Sequence, residues 1–295
     1  MRVFLTGATG YIGSAIADAL IAGGHQVTGL VRSEEAGARL QERGIMPVLG
    51  DMQTPESFLH AVRSADGVIH AANTNDANAA LVDRGIVEAI IGALEGSDKP
   101  FIYTSGVWVL GNTGATAADE TTPLNPIPHV EWRPAVEDFV RDSAKRGVRT
   151  SVIRPAMVYG RGGGAVAMMS GSAGTGAVQY IGDGRNHWTF VHVDDLADLY
   201  VRALEDAPAG SLYHAAEGSP VRISELASAV AENAGKDVRT HSWIADEATL
   251  VLGPFVQGLL LDQNVSAGKA KHELGWKPKA PSVLDEVREG SYARR

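Results

Sequence analysis

Thr6-Gly7-Ala8-Thr9-Gly10-Tyr11-Ile12-Gly13 sets three glycines between a short apolar run and a segment of helical periodicity over 11–22. In that setting each glycine has a separate task. Gly7 permits a tight turn, Gly10 lets backbone approach a diphosphate, and Gly13 lets helix and strand pack closely. The helix start, with unsatisfied N–H groups and partial positive charge, then binds an anion without a lysine. A chain of net charge −9 can therefore hold an anionic dinucleotide on the turn formed by Gly7, Thr9, Gly10, Tyr11, Ile12 and Gly13. Which dinucleotide depends on the tip of the next strand. Leu30-Val31 runs into Arg32-Ser33, where a carboxylate would accept from a ribose 2′-hydroxyl and an arginine suits a 2′-phosphate. The expectation is NADP, with NAD second; the competing reading is a solvated Arg32 paired with Glu34 or Glu35.

The elements that must position this turn follow one grammar over the first 155 residues. Short β-branched or apolar runs, at 3–6, 26–31, 46–49, 67–70, 100–104 and 149–154, alternate with helical patterns such as 11–22, 55–62 and 78–94. Parallel neighbours require such crossovers, so the fold class is α/β with a doubly wound parallel sheet. Residues 1–155, completed by parts of 178–216, form the expected dinucleotide-binding domain. Residues 156–177 and 217–295 form a smaller mixed α/β substrate region. Gly160 to Ala177, rich in Gly, Ala and Ser, reads as a mobile loop, either a substrate lid or a connector. Asp194 reads as the N-cap of a helix over 196–204.

Composition narrows the function classes. With 44% apolar and 21% charged residues the chain can bury a core. Its 35 acidic against 26 basic residues argue against nucleic acid as a partner. It contains no cysteine, which removes thiolate nucleophiles, disulfides and cysteine-ligated zinc and fits a reducing, cytoplasmic setting. The N-terminus reaches Gly7 too soon for a secretory signal. The most apolar later window, 250–261, is too short and too broken by Gly253, Pro254 and Gly258 for a bilayer span of about 20 residues. A small-molecule substrate is the expected partner, with no membrane.

Further short motifs make the chain resemble an extended short-chain dehydrogenase/reductase, of the type that includes NAD-dependent epimerases and dehydratases, over most of its length. They are Gly50-Asp51, His70-Ala71-Ala72, Tyr103-Thr104-Ser105, Arg154-Pro155-Ala156-Met157-Val158-Tyr159-Gly160, Phe190-Val191-His192-Val193-Asp194-Asp195 and Leu274-Gly275-Trp276-Lys277-Pro278. The resemblance implies a Rossmann sheet in which Asp51 and Met52 flank adenine, Ala71, Ala72 and Asn73 lie along pyrophosphate and ribose, residues 155–158, Pro155 and Val158 among them, meet the nicotinamide side, and Thr104 is a further cofactor-binding residue. It implies a homodimer through helices near 78–94 and 130–146. A turn or N-cap before Pro55 is the alternative task for Asp51, and Tyr159 reads as structural.

The family's catalytic Tyr-x-x-x-Lys pair is missing, since no tyrosine here is followed by lysine four places on. Aligning Glu137 and Phe139-Val140 with the family's helix puts His129 and Arg133 at the two positions, so the chain resembles atypical members with His-x-x-x-Arg. An imidazole titrating at about 6.5 suits proton exchange, and a permanent guanidinium can hold ribose hydroxyls. The two share a helical face only if the helix starts near residue 130, with Pro134 in its first turn. Otherwise His129 is a loop residue and Arg133 pairs with Glu137. The family's catalytic hydroxyl falls at Gly106, which leaves Ser105 as the nearest candidate. The scattered His187, His192, His214 and His241 read as structural, and no metal is expected. Ser170-Gly171-Ser172-Ala173-Gly174 lacks the first glycine of a hydrolase elbow. The expectation is an NADP-dependent oxidoreductase acting on a small carbonyl; a cofactor-binding redox sensor and a redox-neutral epimerase are the alternatives.

Overall fold

The structure, a computed structural model, describes residues 1–293, without the side chain of Thr175. Its strands in chain order are β1 (Arg2–Thr6), β2 (Gln26–Val31), β3 (Met46–Leu49), β4 (Gly67–His70), β5 (Pro100–Thr104), β6 (Arg149–Pro155), β7 (Met157–Tyr159), β8 (Ala177–Ile181), β9 (His187–His192), β10 (Ser211–Ala215), β11 (Glu217–Arg222) and β12 (Arg239–Trp243). Seven of them form one parallel sheet in the order β10-β6-β5-β4-β1-β2-β3. The chain winds outward from β1 through β2 to β3, then returns to β4 on the other side of β1. The direction of winding therefore reverses between β1 and β4, and ligands of open α/β sheets bind beyond the carboxyl ends of such a pair.

Both faces of this sheet are covered, so its strands read as continuous apolar runs. The pleat of β1 sends Val3 and Leu5 to one core and Phe4 to the other. On the first face lie α1 (Tyr11–Ala22) and α7 (Val193–Asp206), whose Ile16, Leu20, Leu196 and Leu199 are fully buried. The second face carries α3 (Leu59–Ser64), α4 (Ala79–Leu94) and α5 (Arg133–Asp142), with Val62, Ile86, Ile90 and Val140 buried. Beyond the sheet edge β2–β3 runs α2 (Glu34–Glu42).

A separate core joins the three-stranded sheet β11-β9-β7, the pair β12-β8, and the helices α6 (Gly164–Ser172), α8 (Ile223–Ala234), α9 (Ala245–Leu252) and α10 (Phe255–Leu259). The expected loop over 160–177 is thus corrected. Its first residues turn through Gly160, Arg161, Gly162 and Gly164, all at positive φ, and α6 follows. Tethers from distant sequence hold the turn: Arg161 bridges Asp18 and Asp194 at 2.7 and 2.6 Å, and Tyr292 Oη donates to Gly163 O at 2.6 Å. The cap of α7 is also corrected. The helix starts at Val193, and His192 Nδ1, not Asp194, accepts from the first turn, through the Asp194 N–H. The pattern at 55–62 resolves into a 3-10 turn over Pro55–Ser57 followed by α3.

Candidate active site

The glycine turn is built as its spacing predicts. Gly7 has φ +79°, and a Cβ there would lie 2.6 Å from Ala71 O, so the loops after β1 and β4 touch. A Cβ on Gly13 would lie 2.0 Å from Gly7 O, which excludes any side chain at the strand-to-helix contact. The N-cap of α1 is Gly10, no side chain caps the helix, and its first turn contains no acidic residue. Its leading N–H groups are therefore left to an anion. This cradle fits the diphosphate of a dinucleotide. Thr9 and Gly10 are exposed there and Ile12 is half-buried. Tyr11 turns away, donating from Oη to Gly160 O at 2.8 Å with its ring against Gly163, and burial pushes its phenol well above the usual range.

Across the switch point, Ala71, Ala72 and Asn73 are half-buried. Arg32 stands exposed at the end of β2 and forms no ion pair among the described residues. Of the two expected competitors, Glu35 binds Arg39 at 2.7 Å, and Glu34 forms no ion pair with Arg32 among the described residues. Ser33 spends its hydroxyl capping α2, accepting from Ala36 N at 3.2 Å. Asp51 forms the alternative turn, with Oδ1 accepting from Gln53 N at 2.9 Å, and Met52 packs against the second-face core.

At the carboxyl end of β5, Ser105 N donates to Ile153 O at 2.8 Å, and its buried Oγ has no hydrogen-bond partner among the described residues. Arg133 opens α5, with Pro134 in the first turn. Its Nη1 donates to Thr104 O at 3.1 Å and to Tyr103 Oη at 3.4 Å, and its Cζ sits 4.6 Å from the Trp132 ring centre. Arg133 does not pair with Glu137, whose carboxylate instead holds Arg154 in a buried ion pair. Beside that pair, desolvation and the Arg154 charge push His214 down to about 4, so its ring is neutral near pH 7.

His129 lies outside α5. It is exposed in a 3-10 turn, Pro128–Val130, that precedes α5, so the two residues are not successive turns of one α-helix. Its ring meets the edges of Trp108 and Phe255, with centres 6.2 and 6.1 Å away, and Trp108 follows Ser105 by three residues. Pro155 ends β6, and Val158 lies half-buried in β7, packed against the first-face core.

Sequence reasoning missed the group that ties these parts together. Asp83, on the buried side of α4, accepts from Tyr103 Oη at 2.6 Å and pairs with His70 Nε2 at 3.1 Å. His70 Nδ1 in turn meets Thr6 Oγ1 at 2.7 Å, and that oxygen accepts from Ala71 N at 3.2 Å. A buried polar chain thus runs from the glycine turn to Arg133 through His70 and Asp83, which are 1% and 4% exposed. Its signal in the sequence was a single carboxylate among the apolar positions of α4. Tyr159 is buried with its hydroxyl within hydrogen-bond reach of the Glu217 carboxyl and Pro281 O, an arrangement internal to the smaller core. No cluster of three or more metal-ligating side chains occurs among the described residues, and no described helix is long and apolar enough to cross a membrane.

Comparison with known proteins agrees with this geometry. The family model "NAD dependent epimerase/dehydratase family" matches residues 3–216. The uncharacterized protein C2A9.02 of Schizosaccharomyces pombe is 36% identical over 99% of this chain and 100% of its own length. The 4-hydroxy-2-methyl-3-oxo-4-farnesyl-3,4-dihydroquinoline-1-oxide ketoreductase of Stigmatella aurantiaca is 27% identical, covering 99% of this chain and 97% of its own. Among solved structures, dTDP-glucose 4,6-dehydratase of Streptomyces venezuelae with NAD bound superposes with a TM-score of 0.82 at 18% identity, covering 98% and 97% of the two chains. With a glycine turn at the switch point and a family match spanning the whole parallel sheet, the chain belongs to the NAD dependent epimerase/dehydratase family.

Proposed function

We propose that the chain is an NADP(H)-dependent oxidoreductase that interconverts a small carbonyl compound and its alcohol. The observation that carries this reading is the buried, unpartnered Ser105 Oγ at the carboxyl end of β5, on the strand next to β4 and the switch point. A buried hydroxyl without a partner costs about 1–3 kcal/mol, and a substrate oxygen accepting from it would recover that cost. The bound nicotinamide supplies the hydride. Arg133, held by Thr104 O and stacked on Trp132, keeps its other guanidinium donors free to orient ribose hydroxyls. His129, exposed beside Trp108, serves as the proton donor and acceptor. Arg32, free of ion pairs, takes a 2′-phosphate and gives the preference for NADP over NAD. Support from likeness comes from the Stigmatella relative, named a ketoreductase.

The test is NADPH oxidation with a panel of carbonyl compounds. His129→Ala should lose at least about tenfold in kcat with NADPH affinity unchanged, a loss set by general acid–base catalysis worth about 10²–10⁴-fold. Unchanged turnover in His129→Ala refutes the proton assignment. Absence of turnover in the parent with redox-selective nucleotide binding points to the sensor, and substrate interconversion without net NADPH consumption to the epimerase.

A further inference from the structure

We infer that the carbonyl substrate is an apolar compound without a nucleotide, and that its hydrocarbon part binds in a cavity of the smaller core; this rests on the reductase reading above. The cavity, of about 270 Å³, lies between α6, β8, β9, α8, α9 and α10. Met168, Met169, Trp188, Ile223, Trp243 and Leu259 form most of its wall, and no charged residue lines it among the described residues. That volume is just below the usual range for small-molecule sites, about 300–1,000 Å³.

Its position relates it to the catalytic end. Leu259 belongs to α10, the same helix whose Phe255 lies 5.1 Å from the Trp108 ring centre and whose Gly258 would place a Cβ 2.5 Å from that ring. The short helix α10 is therefore a wall common to the cavity and to the Trp108–His129 cluster. On the opposite wall, α6 starts at Gly164, directly after Gly163, which lies against Tyr11 of the glycine turn.

A sugar nucleotide would need cations or free helix N–H groups for its diphosphate. The described lining residues include no cation. The helix that starts at this cavity, α8, has its first N–H groups committed: Ile223 N donates to Asn186 O and Ser224 N to Gly184 O, both at 3.0 Å. The uncharged Gln179 and Tyr180 contribute the side-chain polarity of β8. Two of the lining side chains also face solvent: Met168 is 51% exposed and Leu252 of α9 is 37% exposed. An exposed apolar rim continuous with an apolar cavity marks a binding surface for an apolar ligand. Two neighbouring methionines on α6 suit a ligand of variable shape.

The experiment is calorimetric titration of the NADP-loaded protein with 2-octanone and, separately, with UDP-glucose, repeated on Met168→Lys. Met168 lies at the mouth and is half-exposed, so the variant keeps the fold, which its thermal unfolding verifies. Binding of 2-octanone, weakened at least about tenfold in Met168→Lys by loss of the apolar contact, supports the inference. Binding of UDP-glucose in place of 2-octanone, 2-octanone affinity indifferent to the substitution, or no 2-octanone binding overturns it. NADPH oxidation is read in parallel. Octanone binding without oxidation would end the reductase reading and leave the cavity assignment standing; oxidation with acetone but no octanone binding would do the reverse.

Discussion

Gly13→Ala tests the strand-to-helix contact on which the glycine turn depends. The added Cβ would lie 2.0 Å from Gly7 O and 2.6 Å from Gly7 C, where ordinary contact begins at 3.4 Å. Since both atoms are backbone, no side chain can rotate away, and the start of α1 must retreat by more than about 1 Å in a close-packed interior. Overpacking of this kind costs about 1–3 kcal/mol, and the retreat also moves the N–H groups that face the diphosphate. Gly10→Ala is the contrast, since its Cβ would meet only Gly7 O, at 3.2 Å. Urea unfolding and NADPH titration of both variants separate the effects. Gly13→Ala should lose about 1–3 kcal/mol of stability and at least about tenfold in affinity, whereas Gly10→Ala should lose affinity with less than about 1 kcal/mol of stability. A Gly13→Ala variant as stable as the parent and binding NADPH as tightly refutes the reasoning.

Three further outcomes follow from the same geometry. Arg32→Ala should raise the Kd for NADP by about 10–100-fold and leave NAD within about threefold, because a charged hydrogen bond to phosphate contributes about 1.5–3 kcal/mol; parallel loss for both nucleotides contradicts it. Asp83→Ala strands His70 Nε2 and Tyr103 Oη in the core and should cost about 3–5 kcal/mol in urea unfolding, with a cost below about 1 kcal/mol counting against the buried chain. Burial pushes Glu217 up to about 7, so between its ordinary 4.5 and 7 the native state holds a proton that the unfolded state releases, and stability falls as pH rises through that window. Glu217→Gln should reduce the fall between pH 5 and pH 8 by about 1–2 kcal/mol, allowing for partial solvent access; an unchanged difference between those pH values is the contrary result. His214, held down to about 4, acts in the opposite sense between 4 and 6.5, and comparison of variant with parent cancels it.

What the sequence disclosed was what local pattern controls. Strands β2, β3, β4 and β5 fall on the expected residues because each is a short apolar run bounded by turn residues. The glycine turn was legible because contacts of backbone on backbone leave only glycine at 7 and 13, and Gly10, whose Cβ would lie 3.2 Å from Gly7 O, completes the spacing. Helix α6 was not legible. Its residues have little apolar periodicity, and the turn before it is held by Tyr11, Asp18, Tyr292 and Ser291, from both ends of the chain. The start of α5 was partly legible: Pro134 falls in the first turn, but the helix begins at Arg133, and His129 belongs to a 3-10 turn before it. Asp83 stood out only as a carboxylate at an apolar position of α4, and its role was not legible because its partners, His70 and Tyr103, come from strands β4 and β5.

The most direct measurement is calorimetric titration of the folded protein with NADPH and with NADH. A free helix start at the switch point, together with an unpaired guanidinium at the tip of β2, predicts binding of both, at least about tenfold tighter for NADPH. No heat from either nucleotide, with the fold intact, contradicts the account at its centre.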